Sequence, residues 1–100
     1  MKTRSPSSAS RMEAPRPLGR IAVSPYATGV LTRYDLALAL CRHSYGDWGD
    51  VSNREAEENE QAVRIGAAVY SRYRSSDGIR FVVYTPAERR ETFVVLSTEV

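Results

Sequence analysis

The stretch Ala67 to Thr85, AAVYSRYRSSDGIRFVVYT, decides the fold. Its two arms, Ala67 to Arg74 and Ile79 to Thr85, are rich in Val, Ile, Tyr and Phe, side chains that pack well on a pleated surface. Between them, Ser75-Ser76-Asp77-Gly78 carries the Asp-Gly pair that supplies the positive φ of a tight hairpin. Alternation puts Arg72, Arg74, Arg80 and Tyr84 on one face of this hairpin and Val69, Tyr73, Phe81 and Val83 on the other. Downstream, Pro86 to Arg90 makes a second connection and Glu91 to Thr98 a third strand beside the second.

Upstream the period changes. Leu18, Ile21 and Val23 predict a short strand stopped by Ser24-Pro25, and the same pair starts a short helix or turn that Gly29 ends. Thr32 with Asp35 imitates a capping box, and Leu36, Leu38, Leu40 and Cys41 give the following helix a broad apolar face ending near His43. After the turn-rich Gly46 to Asp50, Ser52 and Glu55 form a second capping box. Its helix runs to about Gly66, with Ala56, Asn59, Ala62, Val63 and Gly66 on one face. The expected fold class is therefore α+β: a short N-terminal strand, two to three helices, then a three-stranded antiparallel meander, with the helices on one face of the sheet.

One hundred residues, 42% apolar and 26% charged, fit one such domain and leave no room for a second core. The longest apolar stretches, such as Leu36 to Cys41, fall far short of the ~20 residues of a membrane span. A single cysteine, Cys41, excludes an intramolecular disulfide and a cysteine-built zinc cage. With no apolar signal core at the start, the expected location is a reducing cytoplasm. Residues 1 to 17 hold serine, arginine and proline with almost no apolar side chains, so a disordered basic tail is expected there and a single domain from 18 to 100. A domain this small buries only about 60 to 65% of its unfolded surface, which leaves pairing of two copies through a sheet edge open.

The net charge of +2 conceals three regions. Residues 1 to 20 carry five cations against Glu13, or +4. Residues 47 to 60 carry six acids against Arg54, or −5, and residues 61 to 100 carry six arginines against four acids, or +2.

Four features are candidates for chemistry. His43, the one histidine, precedes Asp47 and Asp50, but one imidazole with loop carboxylates lacks the number of ligands a metal needs. The simpler reading is a histidine interacting with the dipole of its helix C-terminus. Trp48, between Gly46 and Gly49 and flanked by Asp47 and Asp50, reads either as a plug between helices and sheet or as an exposed anchor ringed by acids. The acids of the second capped helix, Glu55, Glu57 and Glu58, read as a solvated face or as a mimic of nucleic-acid phosphates. Asp47, Trp48, Asp50, Glu55, Glu57 and Glu58 are thus the expected partner-binding set. A protein, not nucleic acid or a membrane, is the expected partner; Arg72, Arg74, Arg80 and Tyr84, an arginine and tyrosine face on a sheet, are the alternative nucleic-acid-binding set. No glycine-rich phosphate loop, nucleophile elbow or methyl-donor fingerprint occurs, so no cofactor is expected.

Across residues 18 to 97 the chain resembles a family of small proteins carried by plasmids, integrative elements and phages and labelled plasmid-related proteins. The matching residues are Leu18-Gly19, Ser24-Pro25 where relatives often have Thr-Pro, Arg42 through Asp50 (RHSYGDWGD), Asn59-Glu60, Gly66, Ser71, Tyr73, Asp77-Gly78, Thr85, and Thr92 through Leu96. The His and Gly-Asp-Trp-Gly run is the specific part. Relatives more often end in Leu-Pro-Glu-Tyr, where this chain has Leu96-Ser97-Thr98-Glu99-Val100. The resemblance implies a mobile-element setting and the anti-CRISPR class: a non-enzymatic inhibitor that binds a type I CRISPR-Cas effector subunit, with the acidic 47 to 60 region entering a channel meant for nucleic acid. The element order also looks like that of ribosome-dependent ribonuclease toxins of toxin-antitoxin pairs, with Arg72, Arg74, Arg80 and Tyr84 positioning RNA. A plasmid accessory binding protein is the third expectation.

Overall fold

Val69–Arg74 (β2) and Arg80–Thr85 (β3) pair antiparallel, with Tyr73 opposite Phe81 and Arg74 opposite Arg80. Gly78 closes their turn at φ +83°, and the Ser75 hydroxyl accepts from the backbone N–H of Asp77 and Ile79 at 3.2 and 3.0 Å. Glu91–Leu96 (β4) pairs antiparallel with β3, and Arg20–Val23 (β1) pairs parallel with β4 on its far side, in the order β1-β4-β3-β2. The expected meander is present; the parallel fourth strand joins it because β1 and β4 are brought together from opposite ends of the chain. These elements come from a computed structural model that describes residues 14–100.

The helices begin where their caps are. Pro25–Val30 (α1) starts at Ser24, whose hydroxyl accepts from Ala27 N–H at 3.1 Å. Arg33–Ser44 (α2) and Asn53–Ile65 (α3) both carry complete capping boxes, Thr32 with Asp35 and Ser52 with Glu55, and Gly66 ends α3. Each box satisfies backbone donors that no turn of helix can reach.

α1 and α2 lie on one face of the sheet, where Ala27, Leu31 and Ala39 pack with Tyr73, Phe81, Val83 and Val94. The apolar face of α2 is narrower than expected: Leu36 and Leu40 are partly buried, Leu38 is 45% exposed and Cys41 faces outward. The reason is the 3.6-residue period, which turns Asp35, Ala39 and His43 toward the sheet. A second cluster of Trp48, Ala62 and Val69 fills the space beside α3.

The outer edge of β2 is hydrogen-bonded. Asn59 of α3 donates Nδ2–H to Tyr70 C=O at 2.6 Å and accepts Tyr70 N–H at 3.1 Å. Further along, Arg72 N–H reaches Trp48 C=O at 3.0 Å and Asp50 N–H reaches Arg72 C=O at 2.7 Å. This approach requires Gly49, at φ +74°, because a Cβ there would sit 2.1 Å from Arg72 O. Residues 1–13 of the expected tail lie outside the described residues. Residues 14–17 are placed, with Arg16 N–H bonded to Ser44 C=O at 2.9 Å, so this strap contributes to the domain ahead of Leu18.

No helix of the described residues is long and apolar enough to cross a membrane.

Candidate functional site

The face of the sheet away from α1 and α2 brings the alternative set together. Register places Arg72 opposite Val82, Arg74 opposite Arg80, and Tyr84 between Tyr70 and Phe93. Tyr84 is 40% exposed and stacks on Phe93 with ring centroids 6.5 Å apart. Arg74 and Arg80 are exposed, and neither is ion-paired among the described residues. Together with Arg72, Tyr73, Asp50 and Ser97 they line a groove of about 380 Å³. Like charges directly opposite on neighbouring strands repel, so the pair gains from any anion laid across it. Arg72 is committed differently: it donates to Glu55 at 3.1 Å and lies over the Tyr70 ring at 5.3 Å.

The acidic set divides. Asp47 is gripped by Arg42 through Nε and Nη2 at 2.9 and 3.1 Å, and its carbonyl accepts the Tyr73 hydroxyl at 2.5 Å. Glu55 caps Ser52 N–H and accepts from Tyr70 and Arg72. Those bonds, the backbone one first, hold its carboxyl down at about 2. Trp48 is 5% exposed, which corrects its placement in the contact set: it is the plug, held there because Gly49 lets the chain close onto Arg72. Asp50, Glu57 and Glu58 remain in solvent, Glu58 within 3.3 Å of exposed Arg54. Glu57 and Glu58 border a shallow groove with Gln61 and Ile65, the latter 66% exposed.

His43 is fully buried, which overturns the helix-dipole reading. Its Nδ1 lies 2.6 Å from Ser71 Oγ and its Nε2 2.9 Å from Thr85 Oγ1, which is 2.7 Å from Thr92 Oγ1. Thr92 in turn donates to Leu18 C=O at 2.7 Å. Each proton is therefore assigned. Thr92 has given its own to Leu18, so it accepts from Thr85, which accepts from Nε2–H; Nδ1 is bare and accepts from Ser71. A neutral ring is what this chain needs, and burial first, then Arg16 and Arg89, push the imidazole down to about 3. Asp47 and Asp50 do not join His43, and no group of three or more His, Cys, Asp or Glu among the described residues is placed to hold a metal ion.

Sequence reasoning missed Arg16 and Arg89. Arg16 donates to His43 C=O and lies over the Trp48 ring at 5.0 Å, while Trp48 meets His43 edge-on at 5.9 Å. Arg89 donates to Ala67 C=O at 3.0 Å. The one local signal was Pro15-Arg16-Pro17, in which the two prolines favour an extended strap.

Comparison with protein-family models, with curated proteins and with solved structures finds no match to this chain.

Proposed function

We infer that the chain binds single-stranded nucleic acid on the outer face of its sheet. The observation that carries this reading is the cross-strand pair Arg74 and Arg80, two cations in one groove without an ion pair among the described residues, on the sheet face that also carries the Tyr84 and Phe93 stack four residues further along β3. Arginines set the phosphates and an exposed ring takes a base, a combination suited to unpaired strands. The test is binding of a fluorescent oligonucleotide of RNA and of DNA across a salt series. With two phosphates neutralised, log K should fall against log salt with a slope of about −1.4, and Arg80→Ala should reduce that slope by about 0.7. Salt-independent binding, or none to either oligonucleotide, would sink the reading. Growth arrest on expression would extend it to the ribonuclease toxins.

A second reading keeps the inhibitor of a type I CRISPR-Cas effector. It is favoured by the exposed carboxylates Glu57 and Glu58 bordering exposed Ile65. Plaque formation by a targeted phage should then be restored by the chain and lost with Asp50→Lys, Glu57→Lys and Glu58→Lys combined. Arg80→Ala should leave that inhibition intact. The opposite pattern returns the contact to the sheet.

A further inference from the structure

Beneath the strap at Arg16 the interior holds hydrogen-bond donors with nothing to accept from them. Arg16 Nε and Nη1, Arg89 Nη1 and the Trp48 indole Nε1 are all buried, and none makes a hydrogen bond among the described residues. Every orphaned group is an N–H donor. Trp48 links the set: Arg16 lies over its ring, and its packing cluster includes Ala67, whose carbonyl holds Arg89. Neither arginine is ion-paired within the described residues, and the two repel each other, with burial first and Arg89 second bringing Arg16 down to about 10. Two half-buried guanidinium groups with buried, unpaired N–H groups and no carboxylate partner among the described residues are costly unless something of opposite charge joins them. His43, whose carbonyl accepts from Arg16, contributes nothing negative, because both its ring nitrogens are engaged with Ser71 and Thr85.

The backbone at this place is also strained. Among the described residues, Arg89 is the one non-glycine with positive φ, at 60°. A glycine or asparagine would hold that conformation more easily, so the arginine is there for its side chain.

We propose that Arg16, Arg89 and the Trp48 indole form a binding site for a phosphate-class oxyanion, free or as the terminal phosphate of a nucleotide. Donors arriving from three separate groups suit a tetrahedral acceptor better than the planar fork of a carboxylate. Two guanidinium charges match a phosphate dianion. This site lies on the helix side of the sheet and stands independently of the outer face.

Trp48 is the one tryptophan, so its indole N–H gives a single, assigned NMR signal. The experiment titrates inorganic phosphate, adenosine monophosphate and acetate at constant ionic strength into the full chain and into Arg89→Asn, which fits the backbone and removes the donor. Phosphate should shift the indole signal saturably in the native chain, with the apparent affinity at least about tenfold weaker in Arg89→Asn. The melting temperature of Arg89→Asn without phosphate should be equal to or above the native value, since strain and repulsion are both relieved. A response to inorganic phosphate alone assigns a free anion, and an equal or tighter one to the monophosphate assigns a nucleotide end. An indole signal that does not move with either phosphate overturns the proposal. So does a shift that acetate reproduces, or one unchanged in Arg89→Asn.

Discussion

His43 and Thr85 are joined by a 2.9 Å hydrogen bond in which the imidazole must donate, because the Thr85 proton is already directed to Thr92. One buried ring therefore pins α2 to β2 and β3 while staying neutral. The folded value of about 3 lies below the ordinary 6.5, so between these values the unfolded chain binds the extra proton. Stability is complete above pH 6.5 and falls as pH drops through that window. The slope is at most about 1.4 kcal/mol per pH unit. Urea unfolding at steps of about one pH unit checks this. Thr85→Val, which keeps the shape and deletes the hydroxyl, should cost about 1–3 kcal/mol. A stability independent of pH across the window would remove the neutral-imidazole assignment.

Glu55 acts lower on the pH scale. Its carboxyl is depressed from 4.5 to about 2, so its contribution is present above pH 4.5 and disappears as pH falls toward 2. Glu55→Gln should cost about 0.5–1 kcal/mol at neutral pH, since the pair with Arg72 is partly exposed. The same variant should leave the His43 window unchanged, which acid unfolding curves of the two chains will separate.

Asn59→Ala strips Tyr70 N–H and C=O of their partners at the edge of β2. The expected loss is about 2 kcal/mol, with new self-association through the bared strand. Thermal melts and light scattering over a concentration series read the two effects separately. A monomeric Asn59→Ala of native stability would mean that the amide seals nothing.

Arg80→Glu converts a repulsive cross-strand pair into an attractive one. It should stabilise the fold by about 0.5 kcal/mol while abolishing oligonucleotide binding. Chemical denaturation and a binding titration on one preparation test both halves. Retained binding would place the contact away from this groove.

What was legible in the sequence was local. Both capping boxes, the Ser24-Pro25 helix start and the Asp77-Gly78 turn each depend on residues a few positions apart, and each formed as read. The pairing of β1 with β4 was not legible, because Arg20 and Glu91 stand 71 residues apart and strand alternation carries no address. For the site residues, residue type was readable and commitment was not. Asp47 and Glu55 look like free acids until Arg42 and Arg72 arrive from other parts of the chain. Trp48 as plug or anchor depended on whether Gly49 closes on Arg72. The four sheet residues came out together because alternation alone decides a face.

The bonds from Asn59, Trp48 and Asp50 to β2 have a consequence for growth. They leave β1 as the one boundary strand without a partner on its outer side among the described residues. A ribbon with a single sticky side can be extended once: two copies meeting β1 to β1 about a two-fold axis would consume both free sides, and addition would stop at the pair. Stacking into fibres needs two such sides, and this fold has spent one of them on itself.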